Sequence, residues 1–129
     1  MDKKLFKVLV IDDEPDVLEI LTRSLPKRLF VEVHTVDDGA RAVETVRTLK
    51  PDFILLDIHM PGYMGWDVLR EVREFDQNVK IVISTDVFVV PPEDEAYILQ
   101  QISGYLTKPS SPDDISRKII DVLGPEVAR

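Results

Sequence analysis

Cysteine is absent from the 129-residue chain, which excludes a disulfide framework and any thiolate metal site. That composition fits a reducing cytosol, and a cytoplasmic location is the expectation. Long hydrophobic runs are also missing. The longest are four residues, "VLVI" (8–11), "FILL" (53–56) and "VFVV" (87–90), whereas a membrane span needs about 20. The charged start "MDKKLFK" lacks the apolar stretch of a signal peptide. Positive charge is scarce: 16 Lys and Arg stand against 24 Asp and Glu, a formal net charge of −8. Nucleic-acid affinity depends on neutralising phosphates, so this domain is not expected to bind DNA or RNA. No linker, repeat or low-complexity segment interrupts the chain, and the length suits one domain with a core of its own.

What is present is an alternation of short apolar runs with longer amphipathic ones. "FKVLVID" (6–12), "FVEVHTV" (30–36), "DFILLD" (52–57), "KIVIST" (80–85) and "GYLTK" (104–108) read as strands. Between them, helices are predicted over 15–25, 40–49, 65–75, 92–102 and 111–123. Pro15 and Pro92 suit helix starts, where a missing N–H costs nothing. Ser111 and Asp114 stand at capping-box spacing, and Gly124-Pro125 closes the last helix. Short buried strands joined by crossover helices imply a parallel, doubly wound α/β sheet covered on both faces. Its ligand crevice lies at the carboxyl ends of the strands.

Two of those ends are acidic. Asp12 and Asp13 close the first strand, and Asp57 closes the third in "FILLDIHMPG". Two like charges about 4 Å apart repel by roughly 4 kcal/mol at an effective dielectric near 20. Three such carboxylates persist together if a cation sits among them or one stays protonated. Oxygen ligands without cysteine favour a hard ion, Mg²⁺ or Mn²⁺. An aspartate at such a place also caps the following helix well, and for one aspartate alone that use is as good an account. Lys108 ends the fifth strand, and Ser84 and Thr85 end the fourth. An ammonium and a hydroxyl there suit a phosphoryl group, whose transfer needs positioning and charge stabilisation, with a carboxylate as acceptor.

In this order, "VLVIDDEPDVLEIL", "PDFILLDIHMPGYMGWDVL", "KIVIST" and "GYLTKP" resemble the receiver domain of bacterial response regulators over nearly the whole chain. The resemblance implies a three-layer αβα, flavodoxin-like (CheY-like) fold with strand order 2-1-3-4-5. It implies that Asp57 accepts phosphate from a histidine kinase or a histidine phosphotransfer protein in a two-component phosphorelay. It further implies that Asp12, Asp13, Asp57 and the backbone carbonyl of His59 hold Mg²⁺. Lys108 matches the phosphate-pairing lysine and Tyr105 the switching aromatic. Thr85 is favoured as the switching hydroxyl, with Ser84 the alternative. Gly65 and Trp66 match the loop after the acceptor. The fourth helix, fifth strand and fifth helix would form a switched surface for a downstream protein or a fused output domain. The chain is read as one receiver domain, residues 1–129, without an output domain, self-regulating in its phosphorylation rather than a conventional enzyme.

The pattern also departs from the family. Asp86 follows Thr85 where a small residue is usual, "QQISGY" lacks the usual Gly-Ala pair, and Ser110 replaces a common apolar residue after Lys-Pro. "VFVV" before Pro91-Pro92 reads as an extended segment folded onto the core, or alternatively as a contact surface for a partner or a second copy. A haloacid-dehalogenase-like phosphatase would want Asp-x-Asp at the first strand end, and a flavin carrier an uncharged phosphate-cradling loop. A degenerate receiver, acting as a phosphorylation-independent interaction module, is the remaining alternative.

Overall fold

The computed structural model describes residues 4–90 and 92–129. The charged start at Met1–Lys3 and the first proline of Pro91-Pro92 therefore lie outside the described residues. In chain order the elements are β1 (Phe6–Ile11), α1 (Pro15–Arg28), β2 (Val31–Val36), α2 (Gly39–Leu49), β3 (Phe53–Asp57), α3 (Gly65–Phe75), β4 (Lys80–Thr85), α4 (Glu95–Gln101), β5 (Gly104–Thr107) and α5 (Pro112–Leu123). The five strands pair in parallel in the order β2-β1-β3-β4-β5.

Strand alternation divides the core into two layers. Leu9, Ile11, Ile54 and Leu56 face one side, where they meet Ala42 and Val46 of α2, Leu69 and Val72 of α3 and Ile98 of α4. Val8, Val10, Phe53 and Leu55 face the other, against Leu21 and Leu25 of α1 and Ile115 and Ile119 of α5. Because both faces of β3 are covered, all five of its residues are buried, its terminal aspartate included. At about 25 cal/mol per Å² of apolar area removed from water, this double coverage is the main force holding the sheet.

Local chemistry sets the helix ends. Ser111 and Asp114 form the reciprocal capping box at the start of α5. The Asp38 side chain accepts from the Ala40 N–H and starts α2 one residue earlier than its periodicity indicated. Helix α1 runs through Pro26 to Arg28, three residues past the predicted end at Leu25. Pro26 falls in the last turn, and the Leu29 N–H still closes on the Leu25 carbonyl at 2.9 Å. The segment from Pro92 opens as a 3₁₀ turn, Pro92–Asp94, before α4 proper. Buried Arg73 ties α3 to α4, donating to the Asp76 and Gln101 carbonyls at 3.0 and 2.6 Å. The last residues fold back, with Val127 buried and Ala128 bridged antiparallel to Leu29.

Candidate functional site

The strand order reverses between β1 and β3, and the crevice above that reversal is where ligands sit in open α/β sheets. Asp12 and Asp13 follow β1 directly, and Asp57 is the last residue of β3. One carboxylate oxygen from each of the three lies within 4.8 Å of the others. Asp12 and Asp57 are both buried. Asp12 divides its oxygens between two tasks. Oδ1 accepts from the Glu14 N–H at 2.9 Å, which shapes the entry into α1, and Oδ2 takes the Lys108 ammonium at 2.8 Å. Helix α1 has Glu14 as its N-cap with no side-chain cap bond, so Asp12 serves the charge cluster and the turn before the helix rather than capping it.

Lys108 reaches this cluster from the end of β5. Its Nζ lies 3.6 Å from Asp57 Oδ2 and 3.4 Å from Glu14 Oε1, with its side chain only 12% exposed. Its backbone N–H donates to the Thr85 carbonyl at 2.8 Å, fixing the chain where it leaves the sheet. Burial opposes its charge, but the hydrogen bond to Asp12 and the charges of Asp12, Asp57 and Glu14 outweigh this and raise its pKa. The pKa of Asp57 is raised as well, which there disfavours the charged form. Burial, followed by the adjacent Asp12 charge, pushes its carboxyl from 3.8 to about 6, against the opposing pull of Lys108 and the His59 N–H. That N–H donates to Asp57 Oδ1 at 3.2 Å, so His59 meets the site through its backbone.

The remaining predicted residues are distributed around this centre. Ser84 is the register partner of Asp57, and Thr85 that of Thr107, one residue before Lys108. Both are buried, and the Thr85 hydroxyl donates to the Val87 carbonyl at a long 3.3 Å. Tyr105 is 48% exposed and lies flat against Phe88, with ring centroids 4.1 Å apart and planes 7° from parallel. Phe88 in turn meets Trp66 edge-on at 6.3 Å. The "VFVV" segment therefore splits: Phe88 and Val90 pack on the core, while Val87 and Val89 are 59% and 68% exposed. The expectation of an extended segment folded onto the core holds for the first pair only. Sequence reasoning missed two participants, Glu14 beside Lys108 and Phe88 beneath Tyr105. Glu14 had a signal in its adjacency to Asp12-Asp13; Phe88 had none, because stacking across a loop leaves no periodicity.

Gly65 packs directly on this site. A Cβ there would collide with the Asp57 carbonyl oxygen and come within 2.8 Å of Ile58 Cα, while its N–H donates to the Ile58 carbonyl at 2.9 Å. Gly65→Ala is expected to lower stability by about 2 kcal/mol through overpacking. Gly62→Ala, at φ +75° but in open space, is expected to lose only about 1 kcal/mol of backbone strain energy. Urea midpoints of the two variants check this; equal losses would mean that the close approach to Asp57 carries no strain.

This chain belongs to the response regulator receiver domain family, which it matches over residues 8–120. It is 34% identical over 122 residues to the DNA-binding response regulator MtrA of Mycolicibacterium smegmatis, covering 92% of this chain and 51% of that protein. The chain thus spans about half the length of the curated relatives it matches. Among solved structures, the CheY-like receiver domain protein of Methanospirillum hungatei superposes with a TM-score of 0.80 at 21% identity, covering 93% and 94% of the two chains. A LuxR-family two-component response regulator from Aurantimonas sp. gives 0.77 at 27% identity, covering 93% and 86%. The fold is CheY-like, and the protein is a two-component receiver rather than a conventional enzyme. Among the described residues no helix is long and apolar enough to cross a membrane.

Proposed function

We propose that Asp57 is the phospho-acceptor and that its partner is a histidine kinase or histidine phosphotransfer protein. An Asp57 carboxylate oxygen attacks phosphorus, the phosphorus–nitrogen bond of the phosphohistidine breaks, and the imidazole leaves with the bonding electrons. The convergence of three carboxylate oxygens within 4.8 Å beside the Lys108 ammonium carries this reading. The donor set fits a hard divalent ion: all three side chains offer oxygen, and their mutual repulsion is what pushes Asp57 upward beyond its burial. Asp12, Asp13, Asp57 and the His59 carbonyl would hold Mg²⁺ or Mn²⁺, which supplies charge neutralisation to the phosphoryl oxygens.

Lys108 is the second cation, placed to exchange part of its contact with Asp57 for a phosphoryl oxygen. Thr85 is the hydroxyl proposed to follow the phosphoryl group, since its one long bond to Val87 is readily given up; Ser84 is the other candidate. Tyr105 then leaves its place on Phe88, remodelling the face of α4, β5 and α5 for a downstream protein, a fused output domain or a second copy. A cytoplasmic setting and a domain that itself contacts no nucleic acid complete the proposal; MtrA's DNA-binding description belongs to a protein about twice as long.

Intact mass after incubation with Mg²⁺ and acetyl phosphate tests it. One phosphoryl adduct is expected on the wild type and none on Asp57→Asn or with the ion chelated. Absence of any adduct, from acetyl phosphate and from phosphohistidine donors alike, would overturn the reading in favour of a phosphorylation-independent module.

A further inference from the structure

On the α1–α5 side of the sheet, next to the acidic pocket, lies a half-open cavity of about 250 Å³. Its deep wall is apolar, made by Leu21, Leu55 and Ile115, each no more than 4% exposed, with Val17 beside them. Its rim is polar: Glu14, Ser84, Asp86, Lys108 and Ser110. A second cavity of about 130 Å³ shares Val17, Leu21, Ser110 and Ile115 and extends the apolar channel toward Ile20. Asp86 and Ser110, two of the positions that depart from the family pattern, both stand on this rim. Ser110 lines both cavities, and its hydroxyl donates to the Thr107 carbonyl at 3.0 Å.

A cavity of about 150 Å³ lined by aliphatic side chains accepts a benzene-sized guest, so a single ring fits here with room for a short stem. The rim decides the head group. Lys108 is already engaged by Asp12, Glu14 and Asp57. Asp86, by contrast, is exposed and takes part in no ion pair or hydrogen bond among the described residues. The Ser84 and Ser110 hydroxyls add acceptors on the same rim. The charge left unmatched is therefore negative, on a chain whose net charge is −8.

We infer that this cavity is a binding site for a small apolar amine, a ring or short alkyl body lodged between α1 and α5 with its ammonium against Asp86. The site adjoins the acidic cluster and shares Lys108 and Glu14 with it, but its occupancy is measured on the unphosphorylated protein, so it stands or falls independently of phosphoryl transfer. Apolar contact supplies the affinity and Asp86 the orientation.

Titration of the ¹⁵N,¹³C-labelled chain with phenethylammonium, followed by NMR, tests the inference. Saturable shifts of the Val17, Leu21 and Ile115 methyl groups are expected. Ethylammonium, lacking the ring, and benzyl alcohol, lacking the charge, should each bind at least about tenfold more weakly, a difference of about one decade in Kd. Ser110→Phe fills the cavity and is expected to abolish saturation, and Asp86→Asn should weaken phenethylammonium but leave benzyl alcohol unchanged. Binding that survives in a folded Ser110→Phe variant, or that ranks ethylammonium equal to phenethylammonium, overturns the site. Should Ser110→Phe fail to fold, the exposed Asp86→Asn variant decides: equal affinity for the amine in it and in the wild type is the refuting result.

Discussion

Near neutral pH and without divalent ions, Asp57→Asn is expected to be more stable than the wild type, by about 3 kcal/mol. The reason lies in what holds Asp57 where it is. Burial and the charge of Asp12 lift its carboxyl from 3.8 to about 6, and Lys108 recovers only part of that. A carboxyl raised in the folded state contributes stability that is complete below its unfolded value and is lost as pH climbs through its folded one. Between about pH 4 and pH 6 the wild type therefore weakens, by about two units at about 1.4 kcal/mol each. Asparagine keeps the shape without the charge and escapes that loss. The advantage should vanish near pH 3.5, where both side chains are neutral. It should shrink in millimolar Mg²⁺, because an ion that binds only the folded wild-type pocket stabilises it by mass action. Urea unfolding at several pH values, with chelator and with Mg²⁺, reads all three effects. An Asn variant no more stable than wild type in chelator at neutral pH would mean that the cluster is not electrostatically strained.

The electrostatic strain at Asp57 also explains which parts of the molecule its sequence announced. The buried strands were legible because "VLVI" and "FILL" are apolar on both faces, which only a doubly covered sheet requires. The acidic site was legible for the opposite reason. Aspartates at the ends of such strands contradict their surroundings, and the reversal of strand order brings Asp12 and Asp57 together. The end of α1 was less legible, since Pro26 reads as a stop although a proline in the final turn interrupts little. The segment after β4 was least legible of all. Its four apolar residues carry no marker of which two face inward, and that choice is made by tertiary partners, Tyr105 and Trp66 meeting Phe88. Glu14 was partly legible, through its adjacency to Asp12-Asp13. A solvent-exposed acid one residue before a helix looks like a dipole-favouring residue, and only the fold brings the Lys108 ammonium within 3.4 Å of it.

Lys108→Met is expected to have the converse effect, a loss of about 3 kcal/mol in metal-free buffer, in the range found when one partner of a buried ion pair is removed. The ammonium serves Asp12 at 2.8 Å and Asp57 at 3.6 Å, on side chains that are 3% and 5% exposed. Methionine fills the volume of the stem but leaves both acids without a cation. The raised pKa of Lys108 agrees in sign, since its contribution is complete below the unfolded lysine value and is lost only at higher pH. Two further consequences separate this account from simple loss of packing. Mg²⁺ should restore more stability to Lys108→Met than it adds to the wild type, because the pocket has become more negative by one charge. Adding Asp57→Asn to Lys108→Met should stabilise it by more than Asp57→Asn stabilises the wild type, a non-additivity expected of groups that share one site. Urea midpoints for the four proteins of this cycle, with and without Mg²⁺, supply the measurement. If the two substitutions add independently and Mg²⁺ treats every variant alike, Lys108 is a packing element and the coupling between the ammonium and the acidic cluster is refuted.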